Sequence, residues 1–264
     1  MGTTLIRDIF YRTSSQLNDL SPQFTRWKQR EMVDACNDGQ RAIAKYIPSS
    51  SARVDAVKLV AGSKQSIERI LAASIIPGDG STPADVSGTY FQSPIRNMGA
   101  NGTTPGPVIR VIDREVLDTT TPNWHVASGG TYGGVRGVVF DPRFPKVFYA
   151  WPPVPAATDW WIEQSMLADP VLIPHANEGV YAWEGSSTVN ISIDDKYVDD
   201  LVNYIMARAF MKDAEWAANP AMAQNYTALF TGSINAQVTA LTGVNPNLQS
   251  LPFNPNVPAK IAGR

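Results

Sequence analysis

Cysteine and histidine are scarce in this chain. One cysteine, Cys36, and two histidines, His125 and His175, occur among its 264 residues. A single thiol excludes an intrachain disulfide framework and a thiolate metal cluster. The histidines are too far apart in sequence for a His-Glu-x-x-His zinc motif, and the Gly-x-x-x-x-Gly-Lys-Ser/Thr and Gly-x-Ser-x-Gly motifs do not occur. We therefore expect no enzymatic activity, no cofactor and no bound metal.

Charge and long apolar runs are also limited. Charged residues make up 17% of the chain, against about 25% in an average soluble domain. The formal net charge is −2, whereas a domain that binds nucleic acid is usually strongly basic. No apolar run reaches the ~18 residues of a membrane-spanning helix. The N-terminus lacks the regions of a signal peptide, so we expect synthesis in the cytoplasm and no membrane contact.

Apolar residues recur with helical spacing at both ends of the chain. The pattern predicts helices within about residues 3–47 and 193–242. In the first range, Cys36 lies on the apolar stripe of a helix predicted over 25–46, and we interpret it as a buried structural thiol. In the second range, Pro220 is expected to open the last helix and Gly243 to end it.

The middle of the chain, about residues 52–175, has the composition of β-structure and turns. Short strands are predicted at 54–60, 108–112, 135–140, 147–151 and 160–166. A short helix is predicted at 66–74. Residues 77–107 hold few apolar side chains and are expected to form a long loop. Together these segments predict a small antiparallel sheet.

These patterns predict a mainly α fold with inserted β-structure. Both chain ends would build an antiparallel helical bundle, with the small antiparallel β insertion between its second and third helices. We expect a single domain over 1–242. Residues 243–264 contain four prolines and cannot form a core of their own. They are expected to form an extended arm that anchors on a partner through Leu251, Phe253, Val257 and Ile261.

Tryptophans concentrate in and just after the β-rich region, at positions 124, 151, 160, 161 and 183. Two interpretations stay open. Aromatic rings form sugar-binding platforms, which would make the chain a carbohydrate-binding tail or surface component. They also dominate protein cores and interfaces. We favour the second interpretation, and at most one of the two neighbours at 160 and 161 can point into a core. The candidates for a subunit interface are Trp151, Trp160, Trp161 and Trp183.

Paired carboxylates support a third and weaker alternative. A glycoside hydrolase needs two carboxyl groups at a fixed separation, which no sequence spacing here establishes. The pairs considered combine Asp113 or Glu115 with Asp118 or Asp141. The acidic doublets at 194–195 and 199–200 are interpreted as a solvated helix face rather than a metal site.

A series of short motifs runs along the chain. The second predicted helix carries Trp27-x4-Met32 and then Asn37-Asp-Gly-Gln-Arg-Ala-Ile43. Further motifs are Val111-Ile-Asp-Arg114, Pro122-Asn-Trp-His125, Phe140-Asp-Pro-Arg143, Phe148-Tyr-Ala-Trp-Pro-Pro153 and Asp195-Lys-Tyr-Val-Asp-Asp-Leu201. Over about residues 25–230 this series resembles the head-to-tail adaptor (connector) proteins of short-tailed bacteriophages, a class similar to tail tubular protein A of T7-like phages.

The resemblance implies a structural virion protein without enzymatic activity. Such adaptors form a twelve-fold ring that joins the portal of the capsid to the tail nozzle and lines the channel for DNA ejection. The implied partners are further copies of this chain, the portal protein and the tail nozzle protein, with tail fibres as a further candidate. Double-stranded DNA would pass only as non-specific cargo. The C-terminal segment of such adaptors docks on the portal, which is the role expected of the arm. The expected location is the head–tail interface of the virion, after assembly in the host cytoplasm.

Overall fold

The computed structural model describes residues 2–19, 26–126, 133–173, 189–212 and 219–244. Its contacts divide the chain into two compact units. The helical unit comprises Met1–Ser50 and Pro170–Arg264, and the β unit comprises Ser51–Asp169. The helices in the described residues are α1 (Ile6–Leu17), α2 (Gln29–Tyr46), α3 (Arg114–Thr120), α4 (Val198–Phe210) and α5 (Pro220–Val244). The strands are β1 (Ala52–Lys58), β2 (Gly62–Ser66), β3 (Ile75–Pro77), β4 (Gly88–Asn97), β5 (Arg110–Val111), β6 (Gly137–Phe140), β7 (Val147–Val154) and β8 (Trp161–Ala168).

In the helical unit, α4 packs against α1, α2 and α5. Each helix contributes an apolar stripe at helical spacing, and burial of these stripes from water is the main stabilising term. The fully buried side chains include Ile9, Cys36, Ile43, Leu201 and Ile205. Cys36 is fully buried in this core, as interpreted from the sequence, and the resulting desolvation raises the pKa of its thiol to about 12.

The β unit contains two four-stranded sheets, with strand orders β3-β1-β8-β4 and β2-β7-β6-β5. Strand β1 pairs with β8 along its whole length. The two sheets are joined where β4 meets the chain leading into β5, because Asn97 N donates to Pro107 O at 2.9 Å and Ile109 N donates to Ile95 O at 3.2 Å. The core of the unit includes a stacked pair of rings, Phe91 and Phe148, whose centroids are 4.3 Å apart.

The predicted fold class is wrong. The structure mixes α and β in comparable measure, with five helices and eight strands in the described residues, and is not a helical bundle with a small insertion. The reason is that the middle of the chain buries its own apolar cluster between two sheets. The prediction of one antiparallel sheet also fails, since β5 and β6 run parallel. The expectation of a single domain over 1–242 stays a prediction.

Three local predictions within the β unit need correction. Residues 77–107 do not form one long loop, because they contain the ten-residue strand β4. Its polar composition and Pro94 disfavoured a strand, but β4 lies at a sheet end and shifts register three times against β8, and such positions tolerate proline. The helix predicted at 66–74 is instead the end of β2 and a single 3-10 turn at Ala72–Ser74. Helix α3 was not predicted at all.

The helical predictions are closer to the structure. Helix α2 ends at Tyr46 as predicted, and Pro220 opens α5, which continues one residue past Gly243. Residues 245–264, which hold the predicted anchors of the arm, lie outside the described residues.

Candidate assembly surfaces

The motif at positions 37–40 joins α2 to distant parts of the helical unit. Asn37 is buried, and its side chain makes a two-point clamp: Nδ2 donates to Ile173 O at 3.0 Å, while Ile173 N donates to Oδ1 at 2.9 Å. Gln40 accepts at Oε1 from both the backbone N and the Oγ of Ser192, each at 2.9 Å. These bonds satisfy backbone groups that would otherwise be buried without partners. The motif therefore fixes where the chain re-enters the helical unit.

Gly39 allows α2 to approach α4 closely. A β-carbon at this position would lie 2.5 Å from Leu201 Cδ1 and 3.0 Å from the ring of Tyr204. Both contacts are shorter than the van der Waals separation of carbon atoms, so only glycine fits without a shift of these α4 side chains or of α4 itself. Gly39 lies between Asn37 and Gln40 in the motif, and it allows the close packing of α2 on α4.

The N-terminal residues are held by a single carboxylate. Asp195 accepts from the backbone N of Thr3 and of Thr4, at 2.9 and 2.8 Å, and from Thr3 Oγ1 at 2.8 Å. Desolvation works to raise the pKa of Asp195, but these hydrogen bonds outweigh it and hold the pKa well below its ordinary value. The interpretation of the acidic doublet as a merely solvated face is therefore too simple, because Asp195 anchors the start of the chain.

Helix α5 exposes a half-surface that carries no charge. None of its 25 residues is acidic or basic. The sequence analysis identified the apolar stripe of this helix but not its lack of charge, although no charged residue occurs over 220–244. The exposed residues are small, polar or apolar: Ala221, Met222, Gln224, Asn225, Ala228, Leu229, Thr231, Gly232, Asn235, Ala236, Thr239 and Ala240.

The turn between β6 and β7 carries an exposed aromatic side chain, Phe144, next to an ion pair. Arg143 donates through Nε and Nη2 to the two carboxylate oxygens of Asp141, at 3.1 and 2.8 Å, and Phe144 N donates to Asp141 O at 2.9 Å. The hydrogen bonds from Arg143 lower the pKa of Asp141. Phe144 is 65% exposed, so the turn is a second candidate contact surface.

The described tryptophans of the β unit pack largely against its own residues. Trp160 is buried in the core, whereas Trp161 is half-buried and its ring lies 2.8 Å from where a β-carbon on Gly102 would stand. Trp151 is partly buried against the cluster of Leu117, Trp124 and Val139, and Trp124 Nε1 donates to Asp118 at 2.8 Å. Trp124 and Trp160 are buried, so neither offers an open ring face to a sugar. A role of the tryptophans at a subunit interface stays a prediction, and Trp183 lies outside the described residues.

Three of the four carboxylates considered for hydrolysis have structural partners, and none is seen for the side chain of Glu115 in the described residues. Asp113 caps α3 by accepting from Glu115 N at 3.0 Å, and Asp118 accepts from the Trp124 indole. Asp141 holds Arg143, as described above. The described part of the chain contains no group of three or more His, Cys, Asp or Glu side chains that could hold a metal ion. None of the described helices is long and apolar enough to cross a membrane.

A shallow pocket of about 210 Å³ lies between α2 and α4. Its apolar lining includes Trp27, whose Nε1 donates to Ala209 O at 3.0 Å, and Met32. Its charged lining includes Lys212, which donates to Glu31 Oε2 at 2.6 Å. The pocket is smaller than the ~300–1,000 Å³ typical of small-molecule sites. It therefore does not point to a bound metabolite.

Comparison with known families agrees with the motif series. The family model of the SU10 adaptor protein matches residues 4–249. This range includes every described helix and strand, together with the motif at 37–40. A search of curated proteins gave no match. The narrower likeness to the tail tubular proteins of T7-like phages is not confirmed. The chain belongs to the SU10 adaptor protein family: it is a phage adaptor, a structural component of the virion that interacts with other head–tail proteins.

Proposed function

We propose that this adaptor assembles into a twelve-fold ring that connects the portal to the tail nozzle and lines the channel through which DNA leaves. Membership of the adaptor family over residues 4–249 carries the proposal. A closed ring of identical subunits needs two different surfaces on each copy, one for each neighbour. The net charge of −2 suits a channel that DNA must pass through, because clustered lysine and arginine would grip the phosphates.

We infer that the role is assembly and not catalysis. Three of the four candidate carboxylates of the β unit, Asp113, Asp118 and Asp141, are engaged in a helix cap, an indole hydrogen bond and an arginine clamp. These contacts give the three carboxylates a structural role and so favour assembly over catalysis. The surfaces that lack an explanation within the chain, namely the outer half of α5 and the tip at Phe144, are suited to contacts with other proteins.

The arm is proposed to dock on the portal. It follows α5 directly, since the helix ends at Val244. Its prolines restrict the unbound chain and so reduce the entropy lost when an extended segment is ordered on a partner. Its isolated apolar residues would supply the anchors: Leu251, Phe253, Val257 and Ile261.

The number of copies per particle tests the ring. Quantitative mass spectrometry of purified particles would compare this chain with the portal protein. Near-equal copy numbers are expected for stacked rings of twelve. Absence of the chain from particles, or only one or two copies, would contradict the proposal.

A set of arm variants tests the docking role in the same particles. Replacing the four apolar anchors by serine is expected to remove the chain from particles while its unfolding transition stays unchanged, because the anchors are proposed to contact the portal and not the core of this chain. The matched control keeps length and prolines and replaces four neighbouring asparagines by serine: Asn245, Asn247, Asn254 and Asn256. Equal incorporation of both variants would remove the apolar anchors from the mechanism.

A further inference from the structure

The exposed half of α5 is unlike the exposed sides of the other helices in its unit. A solvated helix normally carries charged residues on the face opposite its apolar stripe. This is true of α1, α2 and α4, whose exposed residues include Arg12, Arg41 and Arg208. Helix α5 extends for ~37 Å at ~1.5 Å per residue and offers no charge to water at any turn. Its outer half therefore lacks the charged residues of an ordinary solvated helix face.

Gly232 lies within this exposed half and has no structural reason inside the chain. Glycine in a helix interior costs ~1 kcal/mol relative to alanine. At Gly39 that cost is explained, because a β-carbon would collide with α4. At Gly232 a β-carbon would meet no atom of the described residues within 4 Å. The described residues therefore leave the space over Gly232 open to a closely approaching partner.

We propose that the exposed half of α5 packs against α5 of a second copy of this chain, an inference that rests on the proposed ring. The two edges of this half differ. Met222, Leu229 and Ala236 recur every seven residues and form an apolar edge, as in the seam of a coiled coil. Gln224, Thr231 and Asn235 form a polar but uncharged edge. In a ring each α5 has two neighbours, so the apolar edge of one copy meets the polar edge of the next.

The lack of charge on α5 fits a second copy as the occupant and argues against DNA. Burying an unpaired charge is strongly unfavourable, so an uncharged face is best matched by another uncharged face. The same helix on a neighbouring copy supplies one. DNA would require positive charge to hold its phosphates, and α5 has none.

The contact is expected to be weak in isolated chains. Half the surface of a helix ~37 Å long and ~10 Å wide is ~600 Å², or ~300 Å² for each of two neighbours. A stable interface buries ~800 Å² per partner. The α5 contact therefore needs the other contacts of the assembled particle, and the test belongs in particles.

Site-directed crosslinking tests the contact. Cys36 is fully buried, which makes it unreactive, so one introduced cysteine supplies the reactive thiol. Particles carrying Ala236→Cys are treated with a bismaleimide of ~10 Å, the spacing of packed helices. Crosslinked multimers of the chain are expected on denaturing gels. The matched control is Lys45→Cys at the exposed end of α2, which should remain monomeric. No crosslink at 236, or equal crosslinking of both variants, would overturn the proposal.

Overpacking gives an independent measurement. Gly232→Leu fills the open space without touching the fold, and we expect incorporation into particles to fall about tenfold, as when a close contact is overpacked. Lys45→Leu should be incorporated normally. Normal incorporation of Gly232→Leu would also overturn the proposal. Copy number of the unaltered chain relative to portal separates this failure from that of the ring: near-equal copies without the α5 contact leave the ring intact and refute only its interface.

Discussion

Helices α2 and α5 differ in the charge of their exposed sides and in the surroundings of their glycines. The exposed side of α2 is charged, and its motif at 37–40 contacts α4 and two distant segments of its own chain. The exposed side of α5 is uncharged and has its glycine over open space. The features of α2 are therefore explained by contacts within the chain, whereas contacts among the described residues do not explain those of α5. Family motifs and assembly surfaces need not coincide.

The largest expected effect comes from filling the two glycine positions. Gly39→Leu places a side chain where Leu201, which is fully buried, already lies. We expect the free energy of unfolding to fall by about 3 kcal/mol, the upper range for overpacking a core. Gly232→Leu should instead raise it by ~0.5–1 kcal/mol, because leucine is the better helix former and nothing obstructs it. Urea denaturation of the two variants measures both values. If both substitutions changed the free energy of unfolding in the same direction, the contrast between the two glycines would be refuted.

A second pair of variants compares asparagines on the same two helices. Asn37→Ala removes the clamp on Ile173 and leaves a buried backbone N–H and C=O without partners, at a cost of ~2–3 kcal/mol. Asn235→Ala on the exposed half of α5 should change the free energy of unfolding by less than ~0.5 kcal/mol. The same denaturation experiment applies. A mild effect at Asn37 would show that the motif is not what fixes the re-entry of the chain.

Hydrophobic periodicity and the positions of proline predicted the helices, because these signals are local in sequence. The apolar stripe over 198–210 matches α4, and Pro220 marks the start of α5. The β unit was underestimated because its pairing is non-local. Asn97, for example, bonds Pro107 O and both backbone groups of Val135, and no periodicity within β4 indicates such partners.

The same limit applies to the candidate surfaces. The resemblance drew attention to residues 37–40, but their contacts lie more than a hundred residues away, at Ile173, Ser192 and Leu201. The sequence of α5 shows that charge is missing, yet only the fold shows which half is exposed and that the space over Gly232 is empty. A missing charge becomes informative once the neighbours within the chain are known.

The smallest expected effect is a change in the free energy of unfolding at low pH. It comes from the carboxylates of the helical unit, because α5 has no acidic residue. Asp195, which binds Thr3 and Thr4, has its pKa lowered in the folded chain because those bonds outweigh desolvation. Its stabilisation is therefore complete above the unfolded pKa of about 4 and is lost as pH falls through the lower folded value. Asp200, buried and bonded to Gln237 of α5, has its pKa raised by desolvation. Protonation of Asp200 in acid has the opposite sign and favours the fold.

Asp195→Asn should therefore lower the free energy of unfolding at pH 7, and by a smaller amount at pH 3, where the carboxyl is mostly protonated in the unfolded chain but still charged in the folded one. Because Asp195 is exposed, solvent screening keeps the effect modest. Urea unfolding of both chains at the two pH values measures it. The control is Asp199→Asn, because the contact that the described residues show for its exposed carboxylate is an ion pair with the exposed Arg12. If the difference between Asp195→Asn and wild type is the same at pH 3 as at pH 7, the anchor at Thr3 and Thr4 does not depend on charge. In that case the hydrogen bonds of Asp195 to Thr3 and Thr4 would be no more sensitive to acid than the uncharged exposed half of α5.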